Sequence, residues 1–143
     1  MTRIVVGIDG SDASRLALRW AWDEAALRGA ELHVVHACTY PVVSGFGAVM
    51  PPLPAPGLIL GEAERMVDQQ LEEVLGEAAG DRVVREVVFG TASGVLVEAS
   101  KGADLLVVGA RGRGGFTGLL LGSVSQQCVH HARCPVVVLR TTD

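Results

Sequence analysis

The stretch from Gly109 to Ser125 carries the residues best suited to chemistry: Gly-Ala-Arg-Gly, nine further residues, then Gly-Ser-Val-Ser. Six glycines (Gly109, Gly112, Gly114, Gly115, Gly118 and Gly122) crowd fourteen positions, and Arg111 and Arg113 add cations. Glycine lets main-chain amides approach an anion with no Cβ in the way. A helix opening at Ser123 would add free N–H groups, the positive end of its dipole and the Ser123 and Ser125 hydroxyls. Such a combination holds phosphate and points to a nucleotide. Charged hydrogen bonds of this kind contribute about 1.5–3 kcal/mol each, so three or four reach roughly micromolar affinity after the ordering cost.

Asp9 closes the apolar run Ile4–Ile8, with Gly7 and Gly10 close by. Taken alone, a carboxylate between a strand and a helix reads equally as a turn residue or as a functional one, an acceptor for a ribose or base or an indirect metal partner. The glycine loop at another strand end tips the balance to the second.

Other chemistries find no support in the residues. Gly-x-x-x-x-Gly-Lys-Ser/Thr is absent, and Gly112-Arg113-Gly114 lacks the third glycine and the position of a dinucleotide fingerprint. Ser44 and Ser93 have no nucleophile motif around them. Cys128, His130, His131 and Cys134 match no common zinc spacing. No general base and no two-carboxylate metal site stand out, so the expectation is a binding protein without catalytic residues.

Composition narrows the setting. The 143 residues are 49% apolar with a formal net charge of −4, so no basic field recommends nucleic acid. No apolar stretch approaches the roughly 20 residues that span a bilayer. Met1 to Val6 runs into Asp9 too soon for a signal peptide. Three cysteines with no Cys-x-x-Cys pair fit a reducing cytoplasm.

The elements that must position these residues alternate regularly. Ile4–Ile8 reads as a buried strand, followed by a helix that Ser11 or Ser14 caps, Ala17, Leu18, Ala21 and Ala25 stripe, and Gly29 stops. Leu32–Ala37 is a second strand. Residues 38–57 hold five of the six prolines and read as a long loop, a lid or a mobile segment. Val67, Leu71, Val74, Leu75 and Ala78 stripe a helix, and Arg82–Phe89 is a less apolar strand suited to an edge. A short helix within 90–101, a strand Leu105–Val108, a helix Ser123–Ala132 and a strand Val136–Leu139 complete the series. Trp20 and Trp22, two apart on the first helix, suit packing, and His33 and His36 read as structural or exposed. The pattern predicts one α/β domain over residues 1–143: a Rossmann-like three-layer sandwich, with a five-stranded parallel sheet and helices on both faces. Ligands of such sheets bind outside the carboxyl ends of the strands where strand order reverses. Asp9, the proline-rich loop and the glycine loop all follow strand ends and should meet there.

Beyond these patterns stand particular strings: Val5-Val6-Gly7-Ile8-Asp9-Gly10-Ser11, Ala17-Leu18-Arg19-Trp20-Ala21, Val34-Val35-His36-Ala37, Gly90 with Leu96, Ala103 to Gly109, and Cys134-Pro135-Val136-Val137-Val138. Together with Gly109, Gly112, Gly122 and Ser123 at the spacing Gly-x2-Gly-x9-Gly-Ser, they resemble the universal stress protein family over nearly the whole chain. The resemblance implies an ATP-binding fold that dimerises through its last strand. It implies that Asp9 meets the ribose or adenine side, with main chain near Gly7 and Ile8, and that Ala37 presents main chain to adenine. Val108 and Gly109 would border the ribose, and Gly112, Gly122, Ser123, Val124 and Ser125 would hold the phosphates. Arg111, Arg113 and Gly114 join the site from the loop reading. Ala92 stands where relatives often carry proline, which bears on the start of one helix. The expected function is a regulatory, ATP-dependent module of the stress response, with Mg as the nucleotide's counter-ion, unidentified protein partners, and no nucleic-acid or membrane partner. Slow ATP hydrolysis or nucleotidyl transfer, and a partner module that is nucleotide-free or takes cyclic AMP, are the alternatives.

Overall fold

A computed structural model describes residues 2–39, 54–79, 82–110 and 121–141. In chain order the elements are β1 (Arg3–Gly7), α1 (Asp12–Arg28), β2 (Glu31–Cys38), α2 (Pro56–Leu75, running into a 3-10 turn at Gly76–Ala78), β3 (Val83–Phe89), α3 (Ala92–Ser100), β4 (Leu105–Gly109), α4 (Ser123–His131) and β5 (Val136–Leu139). The strands form one sheet in the order β3-β2-β1-β4-β5, every pair parallel. The predicted α/β architecture is therefore present.

Alternation along each strand sends side chains to two cores. Ile4, Val6, Leu32, Val34, Leu105 and Val107 pack with Ala17, Leu18, Val67 and Leu71 of α1 and α2. Val5, Val35, Leu106 and Val108 pack on the other face with Leu96 of α3 and Cys128 of α4. Strands covered on both faces need apolar residues at every position, which is why β1 and β4 read as unbroken apolar runs. Trp20 and Trp22 both pack against the first core, and Arg82 lies over the Trp22 ring at 5.3 Å. β3 is an edge strand, as its polarity predicted, and Arg85 on it pairs with Asp68 of α2 at 3.2 Å.

Local signals set the helix ends. The Ser11 hydroxyl accepts from Ser14 N at 3.2 Å to cap α1, and Gly29, at φ 63°, closes it. Thr91 caps α3 through Gly94 N at 3.2 Å, so the helix starts cleanly with Ala92. Both ends of the proline-rich loop differ from the sequence reading, and Cys38 is the last residue of β2. Pro56 and Gly57, read as loop, are the first residues of α2, because proline suits the first helical position where no N–H is needed. Residues 40–53 of that loop lie outside the described residues.

From β1 the chain steps outward to β2 and β3, then returns across the sheet to β4 on the other side of β1. Strand order thus reverses between β1 and β4, and their carboxyl ends carry Asp9 and Gly109.

Candidate functional site

The turn after β1 is built around two side chains. Asp9 Oδ1 accepts from Ser11 N at 2.9 Å, an Asx turn, while Oδ2 has no partner among the described residues. Asp9 therefore takes the first role considered for it, shaping the turn, and keeps its second oxygen open. Beneath it, the buried Ser14 hydroxyl donates to Ser11 O at 2.9 Å. Ser14 Oγ in turn accepts from Asp9 N at 3.4 Å and from Gln70 Nε2 of α2 at 3.0 Å. Gln70 Oε1, also buried, has no partner among the described residues, which costs about 1–3 kcal/mol. Ile8 is fully engaged: its N–H donates to Val35 O at 3.0 Å, and its carbonyl accepts from His36 Nδ1 at 2.7 Å. A ligand near Ile8 would meet main chain already paired. His33 is likewise structural, its ring held between Glu31 and Glu86.

Close approach explains two of the site glycines. A Cβ on Gly109 would lie 2.7 Å from Ala13 Cβ and 2.8 Å from Ala13 C, so glycine here lets the first turn of α1 sit on the end of β4. A Cβ on Gly7 would come within 2.7 Å of Leu96 Cδ1, so that position admits α3. Both glycines thus bring a helix against the strand ends that frame the site. Val108 keeps its side chain in the second core, leaving its main chain alone to face a ligand. Ala37 stands at the end of β2, paired in register with Val88, with β1 between it and β4.

After β4 the chain leaves through a narrow neck. Ala110 N donates to Leu139 O at 2.7 Å, and Gly122 N donates back to Ala110 O at 2.6 Å, so the chain departs and returns at one point. The buried Ser125 hydroxyl reinforces the neck, donating to Ala110 O at 2.7 Å with Gly122 O at 3.0 Å. This corrects the expectation that both serine hydroxyls of Gly-Ser-Val-Ser point at an anion. Ser123 is exposed and its hydroxyl has no partner among the described residues. Arg111, Gly112, Arg113 and Gly114 lie outside the described residues.

The start of α4 differs from those of α1 and α3. Its N-cap is Gly122, which brings no side chain, and the first paired amide at this end is Gln126 N, to Gly122 O at 3.0 Å. The amides of Ser123, Val124 and Ser125 have no acceptor among the described residues. Uncapped amides at a helix N-terminus carry the partial positive charge that favours an anion. With Asp9 in the turn after β1, the neighbour of β4, the site offers amide donors at one side and a carboxylate acceptor at the other. That polarity suits a phosphate joined to a hydroxyl-bearing sugar or base.

Sequence reasoning missed Gln70, and it read Ser14 only as a candidate helix cap and His36 as structural or exposed, without joining either to this framework. Gln70 was detectable as a polar residue on the apolar stripe of α2, between Val67 and Leu71. His36 was detectable by its place beside Ala37 near the end of β2. The cysteines take no part. Burial pushes the Cys128 thiol up to about 11, and Cys134 is also raised, chiefly by burial and then by Asp104, with Arg3 opposing. Among the described residues no group of three or more His, Cys, Asp or Glu side chains could hold a metal. No helix among them is long and apolar enough to cross a membrane.

Comparison with known proteins places this geometry. The model of the universal stress protein family matches residues 1–140. A universal stress protein of Mycobacterium tuberculosis is 43% identical over 141 residues, covering 96% of this chain and 45% of that protein. A second from the same organism is 38% identical over 146 residues, covering 98% of this chain and 48% of that protein. The chain thus spans about half the length of the curated relatives it matches. Among solved structures, UspA of Lactobacillus plantarum superposes with a TM-score of 0.74 at 24% identity, covering 97% of each chain, and supports the fold. A universal stress protein solved in complex with cAMP superposes with a TM-score of 0.72 at 28% identity, covering 99% of this chain and 98% of that one. This chain belongs to the universal stress protein family.

Proposed function

We propose that the chain is a regulatory nucleotide-binding module: ATP, with Mg²⁺ as its counter-ion, occupies the strand-end site between β1 and β4, and occupancy alters a surface that protein partners read. The observation that carries this reading is the glycine-capped start of α4, whose first three amides lack an acceptor among the described residues, following β4 where its neighbour β1 leads into the Asp9 turn. Phosphates would lie on Ser123, Val124 and Ser125 N–H groups, and Asp9 Oδ2 would accept from the ribose or base. The cAMP complex of a relative 28% identical adds support for an adenine nucleotide. The role is binding without turnover, in a cytoplasm reducing enough to keep Cys38, Cys128 and Cys134 as the thiols they are here. A homodimer formed through β5 belongs to the same reading.

Calorimetric titration with ATP, ADP, AMP and cAMP tests it. Saturable ATP binding at micromolar to low hundreds of micromolar is expected. Gly122→Val should weaken it roughly 10- to 100-fold, since a branched side chain at the cap keeps phosphate from the amides and removes one or two charged hydrogen bonds. No heat at hundreds of micromolar ATP rejects the reading, and full affinity in Gly122→Val rejects the assignment of the phosphates.

A further inference from the structure

Gln70 sits on the apolar stripe of α2 and is only 2% exposed, yet it carries an amide whose Oε1 has no hydrogen-bond partner among the described residues. Stability alone gives no reason for an amide there, since an apolar side chain of similar volume would leave nothing unpaired. Its other end explains it. Gln70 Nε2 lies 3.0 Å from the Ser14 hydroxyl, which is itself 3% exposed. That hydroxyl has one proton, and Ser11 O takes it at 2.9 Å. Toward Asp9 N and Gln70 Nε2 it can therefore only accept, which fixes the amide with its NH2 toward Ser14. Ser14 becomes a hub joining α2, the cap of α1 and the Asp9 amide. Ser11, held by the hub through its carbonyl, in turn donates its N–H to Asp9 Oδ1 at 2.9 Å. The chain of bonds runs without a gap from α2 to the carboxylate whose second oxygen is open.

Resting on the nucleotide reading above, we propose that Gln70 is a positioning residue for the Asp9 turn, acting through Ser14 so that the seating of α2 sets nucleotide affinity. Gln70 touches no ligand itself. Its amide holds the lone pairs of Ser14 in place, and with them the orientation of the Asp9 main chain and carboxylate.

The test is a double-mutant cycle of Gln70→Met and Ser14→Ala, with ATP titration, urea unfolding and hydrogen exchange of the Asp9 amide in the ligand-free protein. Each single variant should weaken ATP roughly 3- to 10-fold, the effect of losing one neutral hydrogen bond. The double variant should bind no more weakly than Ser14→Ala alone, because both act through one hub. Gln70→Met should unfold at the same or a higher urea concentration, and its Asp9 amide should exchange faster. Unchanged ATP affinity in Gln70→Met, or fully multiplicative effects in the double variant, overturns the proposal whatever happens to stability. If Gln70→Met fails to fold, unchanged affinity in Ser14→Ala overturns it. If the wild-type protein binds no ATP, the nucleotide reading falls, and the Asp9 amide then decides the coupling: faster exchange in Gln70→Met upholds it and unchanged exchange overturns it.

Discussion

Ser123 and Ser125 stand two positions apart, and their hydroxyls do opposite things. The first is exposed and free for a guest among the described residues, and the second is buried, tying Ala110 to the start of α4. The spacing Gly-x2-Gly-x9-Gly-Ser was legible and marked this region, but it cannot tell a ligand-facing serine from a structural one. That difference depends on where the carbonyl of Ala110 lies, fifteen residues away along the chain. Asp9 was legible as a strand-end carboxylate, whereas the Ser14–Gln70 bond under it joins residues 56 apart and leaves no local trace. Cys128 supports a prediction at this scale. Burial holds its thiol neutral up to about 11, so folding favours the protonated form. The unfolded chain ionises first as pH rises, so stability present below pH 9 declines between about 9 and 11. Urea midpoints measured from pH 8 to 11 should fall in the wild-type protein and fall less in Cys128→Ala; equal slopes would show that the buried thiol has no part in alkaline unfolding.

At the level of elements, the order of strands and helices was readable because β1 and β4 are covered on both faces and β3 is visibly an edge. Continuous apolar runs mark β1 and β4, and mixed polarity marks β3. The start of α2 was misread because proline, which breaks a helix anywhere else, is favoured at its first position. β5 shows what the sequence alone leaves open. Among the described residues it pairs with β4 on one side only, and all four of its residues are half-buried. Pro135 O and Leu139 O face β4, accepting from Leu106 N and Ala110 N, so by alternation Val138 turns its N–H to the free edge. An apolar, unpaired strand edge is a template for a second chain. Val138→Pro removes that outward donor and leaves the bonds to β4 intact. Light scattering after gel filtration should show a dimer for the wild-type protein and a folded monomer for Val138→Pro; an unchanged dimer would move the interface away from β5.

For the whole molecule, the useful fact is that strand order reverses where the two candidate halves of the site stand. The helix pairs on opposite faces, α1 with α2 and α3 with α4, reach this line through Gly109, too close to the α1 backbone to admit a Cβ, and Gly7, where a Cβ would press on the tip of Leu96. One half of the site is a fixed turn with a carboxylate. The other is a helix end left uncapped by side chains, at the neck from which residues 111–120 depart. The chain covers about half of the curated relatives it matches, so the site is a property of this unit, and what a longer relative does with two such lengths is a separate question.

In the proposed complex α4 receives the phosphates while Asp9 receives the nucleoside. Amide resonances of the 15N-labelled protein, followed during titration with ATP and separately with adenosine, address it directly. ATP should shift Ser123, Val124 and Ser125 together with Asp9 and Gly10, and adenosine should shift the Asp9 turn while leaving the three α4 amides in place. Saturation with ATP that moves other residues but leaves Ser123, Val124 and Ser125 unshifted would contradict the account.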